Sequence, residues 1–148
     1  MPRRPILAVR FPAATGAALC QSRASRYKKH MQRIWIGLGS LAGFGAVAMA
    51  AFAAHGIADP AAARIVASGV QMQGWHALAL FGIGLWTPLG ARLAQAAGLA
   101  FALGMLLFCG AVYAHGLTGV SVGAVAPVGG TLLMVGWLLL AASAWRAR

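Results

Sequence analysis

The fold of this chain is organised around the stretch QGWHALALFGIGLWTPL, residues 73–89. Its first four residues, Gln73-Gly74-Trp75-His76, place an amide, an indole and an imidazole at the start of an apolar run. No charged side chain interrupts the run before it ends at Leu89. This pattern is typical of a helix entering a membrane, and the other apolar segments are interpreted as packing around it.

Composition indicates that the solvent of this chain is a bilayer. Its 148 residues are 61% hydrophobic and only 9% are charged, with a mean hydropathy of +0.79. Soluble domains usually contain about 25% charged residues. The sequence therefore predicts an integral membrane protein.

Charge is strongly positive and unevenly placed. The net charge is +11, with twelve Lys and Arg residues and the single acid Asp59. Most of the basic residues precede the first apolar run: Arg3, Arg4, Arg10, Arg23, Arg26, Lys28, Lys29 and Arg33. Basic residues beside a span set its orientation, so the bilayer is the expected partner and nucleic acid is not.

Four apolar segments predict an all-α integral membrane four-helix bundle within residues 31–148. A helix of about 20 residues crosses a hydrocarbon core of about 30 Å. The spans are expected at about 34–54, 72–89, 93–113 and 126–145. Asp59 and Pro60 are expected to cap a short helix at 61–70 that leads into the second span, and a tight turn is expected at Arg92. Basic residues at both ends and at Arg92 face one side, against Arg64 on the other. This predicts a multi-pass membrane protein with cytoplasmic N- and C-termini.

Residues 1–30 are expected to lie outside the fold. They are basic, contain no acid and are interrupted by prolines, as in a transit peptide or a disordered arm. Alternatively, translation begins at Met31. The first span could itself be a signal peptide cleaved after Ala51-Phe52-Ala53, but its apolar run exceeds the usual length of about 7–15 residues, which favours a retained helix.

Helical periodicity divides the first two spans into packing and lipid faces. In the first span, the expected packing residues are Gly39, Gly43, Ala46, Ala50 and Ala53, and the expected lipid-facing ones are Trp35, Leu38, Leu41, Met49 and Phe52. In the second, the expected inward residues are Gln73, His76, Leu80, Gly84 and Thr87, and the expected lipid-facing ones are Trp75, Leu78, Leu85 and Trp86.

Four motifs occur in order along the chain. They are Ala51-Phe52-Ala53-Ala54-His55, Gln73 with His76-Ala77-Leu78-Ala79-Leu80, Phe108-Cys109-Gly110-Ala111-Val112-Tyr113, and Pro127-Val128-Gly129-Gly130 with Gly136-Trp137. From about Met31 to Ala144 the chain resembles the YgdD-like family of small bacterial inner-membrane proteins, which has four predicted spans and no established reaction. The chain departs from the family pattern at Met72, Cys109, Ala111 and Ala126, where the family has hydroxyl-bearing residues.

The candidate functional or register-fixing residues are Gln73, His76, His55, Tyr113, Cys109, Pro127, Gly129 and Gly130. His55, His76 and His115 fall near the outer face and could bind zinc or copper. Their helical angles diverge, so hydrogen bonds to backbone and water are the simpler interpretation and no metal is expected. Haem would need paired histidines across a wide cleft, whereas small-residue stripes favour close packing, so no cofactor is expected.

Catalysis has little support from the residues present. No acid is placed to orient a histidine, and no serine or cysteine has an adjacent base. We therefore expect a non-enzymatic protein with a structural or accessory role in a membrane assembly, with other membrane proteins or a second copy as partners. The alternative is a small solute or ion permease that uses Gln73 and His76 inside the bundle.

Overall fold

The computed structural model describes residues 14–146, without the side chains of residues 14–20, 22, 24, 90 and 91. It contains three helical elements, α1 (Ala14–His55), α2 (Pro60–Thr118) and α3 (Val125–Arg146). Helix is the only regular secondary structure in this part of the chain. The predicted all-α class is therefore confirmed.

The long element α2 folds back on itself. A straight helix of its 59 residues would extend about 88 Å. Yet the hydroxyl of Tyr113 lies 2.7 Å from the side chain of Gln73, forty residues earlier. Gln95 likewise reaches the hydroxyl of Thr87 at 3.1 Å. The chain thus reverses between Thr87 and Gln95, where the sequence predicts a turn, and α2 is a hairpin with a first arm (60–89) and a second arm (92–118).

Local chemistry sets both ends of the hairpin. The Asp59 carboxylate accepts hydrogen bonds from the backbone N–H groups of Ala61 and Ala62, at 3.0 and 3.2 Å. Pro60 follows as the first helical residue, where its missing N–H costs nothing. The far end closes at Gly119, whose φ of 74° is left-handed. The N-cap predicted from the sequence is therefore confirmed, and the first arm continues into the second span without a break.

Both outer helices pack on the hairpin. Gly39 of α1 lies against Ala77, and Ile36 against Gly84, so α1 runs antiparallel to the first arm. Gly136 of α3 lies against the ring of Phe101 in the second arm. Among the described residues, α1 and α3 do not approach each other directly. The core between the elements consists of Trp35, Ala79, Leu80, Ile83, Ala97, Phe101 and Leu133.

Small residues allow the backbones to approach closely. A Cβ added to Gly39 would lie 2.8 Å from the carbonyl oxygen of Ala77, and one added to Gly129 would collide with the backbone of Phe108. Such contacts hold membrane helices together through packing, without a hydrophobic driving force. The expected packing stripe of α1 is buried at Gly39, Ala46 and Ala53, while Ala50 is exposed.

Two tryptophans differ from the sequence-based expectation. Trp35 is only 5% exposed and belongs to the core, although we expected it to face lipid. Trp86 is partly buried and bonds to Ser143 of α3. In both cases a polar side chain on the facing helix accepts a hydrogen bond from the indole, and this draws the ring inward.

Three helical stretches in the described chain are long and apolar enough to cross a membrane: Ser25–His55, Arg92–Thr118 and Val125–Arg146. The first arm of α2 is not among them, so its crossing remains a prediction. At the N-terminus, α1 already begins at Ala14. The part of the basic segment from residue 14 to 30 is thus helical and continuous with the first span, and residues 1–13 lie outside the described residues.

Candidate functional site in the bundle interior

Gln73 connects three helical segments. Its side-chain Nε2 donates to the carbonyl oxygen of Ala42 in α1 at 2.8 Å. Its Oε1 accepts a hydrogen bond of 2.7 Å from the Tyr113 hydroxyl in the second arm. Gly45 leaves room for the amide, because a Cβ there would lie 2.8 Å from Nε2. The side chain of Gln73 thus extends from the first arm into the bundle, and its amide bonds to both α1 and the second arm.

Cys109 lies one helical turn before Tyr113, and both side chains contact Gly69 of the first arm. Its buried thiol donates a weak 3.5 Å hydrogen bond to the carbonyl oxygen of Gly69. A Cβ on Gly69 would lie 2.7 Å from the ring of Tyr113. Gly69 therefore accepts the thiol and also makes space for the tyrosine that bonds Gln73.

His76 faces the other side of the first arm and is 3% exposed. Its Nδ1 lies 2.7 Å from the carbonyl oxygen of Met72, which only accepts hydrogen bonds, so the proton is assigned to Nδ1. The other ring nitrogen, Nε2, then accepts a 3.2 Å hydrogen bond from the indole Nε1 of Trp137 in α3. Both ring nitrogens are satisfied within the bundle.

An aromatic cluster surrounds this imidazole. The ring centroid of His76 lies 5.4 Å from that of Phe101 and 6.1 Å from that of Trp137. Phe101 and Trp137 meet edge to face at 5.0 Å, a favourable geometry for aromatic pairs. His76 thus joins the first arm to α3, with a second-arm ring packed against it.

A second group of polar contacts, which the sequence patterns did not predict, lies near the turn of the hairpin. The indole Nε1 of Trp35 donates to Gln95 Oε1 at 2.6 Å. Gln95 Nε2 donates to the hydroxyl of Thr87 at 3.1 Å, and Thr87 donates to the carbonyl oxygen of Ile83. Gln95 is a polar residue inside an apolar run, which is the same signal that identified Gln73.

The remaining candidates do not join these clusters. His55 and His115 are exposed, whereas His76 is buried. No group of three His, Cys, Asp or Glu side chains able to hold a metal occurs in the described part of the chain. Pro127 is exposed at the start of α3. Gly129 and Gly130 pack there against Phe108, so they act in helix packing.

A groove of about 550 Å³ runs between α1 and the second arm. Gln73, Cys109 and Tyr113 all contribute to its lining. The rest is mostly apolar and includes Leu38 and Leu106. Three of the predicted site residues therefore share one surface, while His76 lies on the opposite face of the first arm.

The buried polar side chains of the interior bond to one another or to the backbone. No buried side-chain nitrogen or oxygen in the described residues lacks a hydrogen-bond partner. Membrane interiors make an unpaired polar atom expensive. The observed pairs therefore stabilise one helix arrangement against sliding or rotation.

Sequence comparisons identify bacterial relatives along most of the chain. The family described as "Protein of unknown function (DUF423)" matches residues 49–130. A UPF0382 membrane protein of Haemophilus influenzae is 30% identical over 122 residues, covering 80% of this chain and 98% of the relative. One of Staphylococcus epidermidis is 34% identical over 112 residues, covering 73% and 92%.

The UPF0382 inner membrane protein YgdD of Escherichia coli is 30% identical over 123 residues, covering 78% of this chain and 92% of the relative. No solved structure matches the chain.

Proposed function

Because this chain belongs to the DUF423 family of bacterial membrane proteins, as its motifs indicated, we propose that it is a structural or accessory protein of the inner membrane. In this proposal the protein carries out no reaction itself and acts through contacts with other membrane proteins or a second copy. It crosses the membrane four times, with both termini in the cytoplasm.

One observation supports this proposal: every buried polar side-chain atom in the described residues has a hydrogen-bond partner inside the bundle. Gln73 and His76 are the two most polar side chains in the second predicted span, and each already has two partners inside the bundle. A transport or catalytic group needs a polar atom available to a substrate. Here both side chains support helix register, which is the best-attested role of buried polar residues in helix assemblies.

The topology rests on the distribution of basic residues. Reporter fusions after Arg92 and at the C-terminus should both give a cytoplasmic signal. A periplasmic signal from either fusion would contradict the proposed orientation. A cytoplasmic signal from a fusion in the loop at 119–124 would instead show that the first arm of α2 does not complete its crossing.

The accessory role is tested by crosslinking in native membranes. A photo-crosslinking residue placed at exposed, lipid-facing Phe44 or Leu138 should capture a specific membrane protein or a second copy. The matched control carries the same residue at buried Leu80, where capture should be intramolecular. Capture of lipid alone from several exposed positions would contradict the accessory role.

One observation favours the permease alternative. The groove between α1 and the second arm reaches Gln73 and Tyr113, so a solute entering it would meet an amide and a phenol. Flux into proteoliposomes separates the two functions. If Gln73→Leu leaves the protein folded and abolishes a solute or proton flux that the unaltered protein supports, the permease is correct. If the unaltered protein supports no flux, the accessory role stands.

A further inference from the structure

A cleft of about 430 Å³ lies where the N-terminal part of α1 passes the turn of the hairpin. Its lining consists of Gln21, Ser25, Lys28, Lys29, Gln32 and Pro88. The Lys28 ammonium donates a 3.2 Å hydrogen bond to the carbonyl oxygen of Pro88 and so ties the two walls together. The cleft is built between two elements and does not lie on one helix face alone.

The chemistry of this cleft is that of an anion site. Five of its six lining residues have side chains with a hydrogen-bond donor, and two of these are ammonium groups. Arg92 follows the hairpin turn and Arg146 ends α3, so both add positive charge at the same end of the bundle. The one acidic side chain in the sequence, Asp59, caps the opposite end of the first arm. No acidic side chain of this chain can therefore neutralise the two lysines.

The depth of the cleft matches the layer of lipid headgroups. Lys28 and Lys29 precede Ile34, the first residue of the apolar run, by about 8 to 9 Å along the helix axis. The polar layer on each side of a bilayer is roughly 5 to 8 Å thick. The backbone of the two lysines therefore lies at the outer edge of this layer, and their long side chains can reach the lipid phosphates.

We propose that this cleft binds the phosphate of an anionic phospholipid, with Lys28 and Lys29 as the charged contacts. Gln21, Ser25 and Gln32 supply neutral donors to the remaining phosphate and headgroup oxygens. Basic pockets between membrane helices on the cytoplasmic side bind such headgroups in the same way. The bound lipid would also connect α1 to the hairpin turn, beside the Lys28–Pro88 contact.

Native mass spectrometry of the full chain in a neutral detergent tests this proposal. Phosphatidylglycerol and phosphatidylcholine are titrated against the unaltered protein and against Lys28→Gln/Lys29→Gln. The matched control is Arg23→Gln/Arg26→Gln, which removes the same charge from the same helix. Both arginines lie more than about 100° round the helix from the centre of the cleft.

We expect phosphatidylglycerol to bind in preference to phosphatidylcholine, and the lysine pair to account for about tenfold or more of its affinity. The arginine pair should change the affinity by less than about threefold. Lys29→Gln alone should also weaken binding, and it leaves the Lys28–Pro88 contact in place, so a folding defect of the double variant would not decide the outcome.

Three results would overturn the proposal. Equal binding of the two lipids would remove the anion preference, and equal weakening by both variant pairs would reduce the effect to general surface charge. Displacement of the lipid by inorganic phosphate at a comparable concentration would reassign the cleft to a free anion.

Discussion

The indole N–H of Trp137 donates to Nε2 of His76 at 3.2 Å, while Nδ1 of the same imidazole is bonded to Met72. This relationship connects α3 to the first arm of the hairpin. A second indole bond, from Trp86 to the hydroxyl of Ser143, connects the same two segments at another depth. Two bonds at separate depths fix the rotation of α3 as well as its height.

Substitution of His76 should destabilise the bundle through this bond. We expect His76→Phe to cost about 1 kcal/mol, because it keeps a ring beside Phe101 but loses both hydrogen bonds. His76→Ala should cost about 2 to 4 kcal/mol, because it also leaves a cavity. Reversible unfolding in mixed micelles, followed by circular dichroism, measures both values.

A double-mutant cycle with Trp137→Phe isolates the pair. The coupling energy between His76→Phe and Trp137→Phe should be about 0.6 kcal/mol and no more than about 1.7 kcal/mol. Trp75→Phe, at a tryptophan exposed to lipid, is the control and should show no coupling with His76→Phe. A coupling near zero for Trp137 would mean that the hydrogen bond contributes no stability.

The amide of Gln73 should matter more than the phenol that bonds to it. Tyr113→Phe removes one hydrogen bond and should cost about 0.5 to 1 kcal/mol. Gln73→Leu removes two, and should cost about 1 to 2 kcal/mol in the same unfolding measurement. If the two variants lose the same free energy of unfolding, the hydrogen bond from Gln73 to Ala42 contributes no stability.

The backbones of α1 and the first arm approach closely at Gly39, whereas nearby Gly37 has open space around it. Gly39→Ala should destabilise the protein by about 1 to 3 kcal/mol, because the new methyl group would meet the backbone of Ala77 and Phe81. Gly37→Ala, two residues earlier, meets nothing within 4 Å and should be neutral or stabilising by up to about 1 kcal/mol. Similar effects at both positions would contradict the proposed contact between α1 and the first arm.

Substitution of Gln95 should destabilise the protein as much as substitution of Gln73, although the sequence patterns did not identify Gln95 as a candidate. Gln95→Leu removes the acceptor of Trp35 and the donor to Thr87, at a cost of about 1 to 2 kcal/mol. The exposed Gln71→Leu makes the same chemical change at the surface and should stay within about 0.5 kcal/mol. Unfolding curves that shift equally for both variants would place Gln95 outside the core.

Sequence reasoning reached the helical class, the chain reversal near Arg92 and the Asp59 cap, because composition, length and local capping chemistry determine these features. It also placed His76 and Thr87 inward, since a polar side chain in an apolar run has few other options. Each of these features can be inferred from the residues of one segment, without knowing which helix packs against it. Helical periodicity contains enough information for them.

The positions of Trp35 and Trp86 needed information from a second helix. A tryptophan near the end of a span faces lipid by default. Trp35 turns inward because Gln95 meets it, and Trp86 because Ser143 does. Likewise, the sequence indicated that His76 is internal but could not identify Trp137 as its donor. Partner choice depends on the rotation of facing helices, which no single segment specifies.

The absence of direct packing between α1 and α3 in the described residues has a consequence for biogenesis. Each segment that leaves the ribosome after α1 finds at least one of its packing partners already synthesised. The first arm meets α1 through Gly39 and Gln73, the second arm meets both, and α3 docks last on a finished hairpin. The bundle can therefore assemble in the order of its translation, and a chain arrested before α3 would retain the packing of α1 against the hairpin.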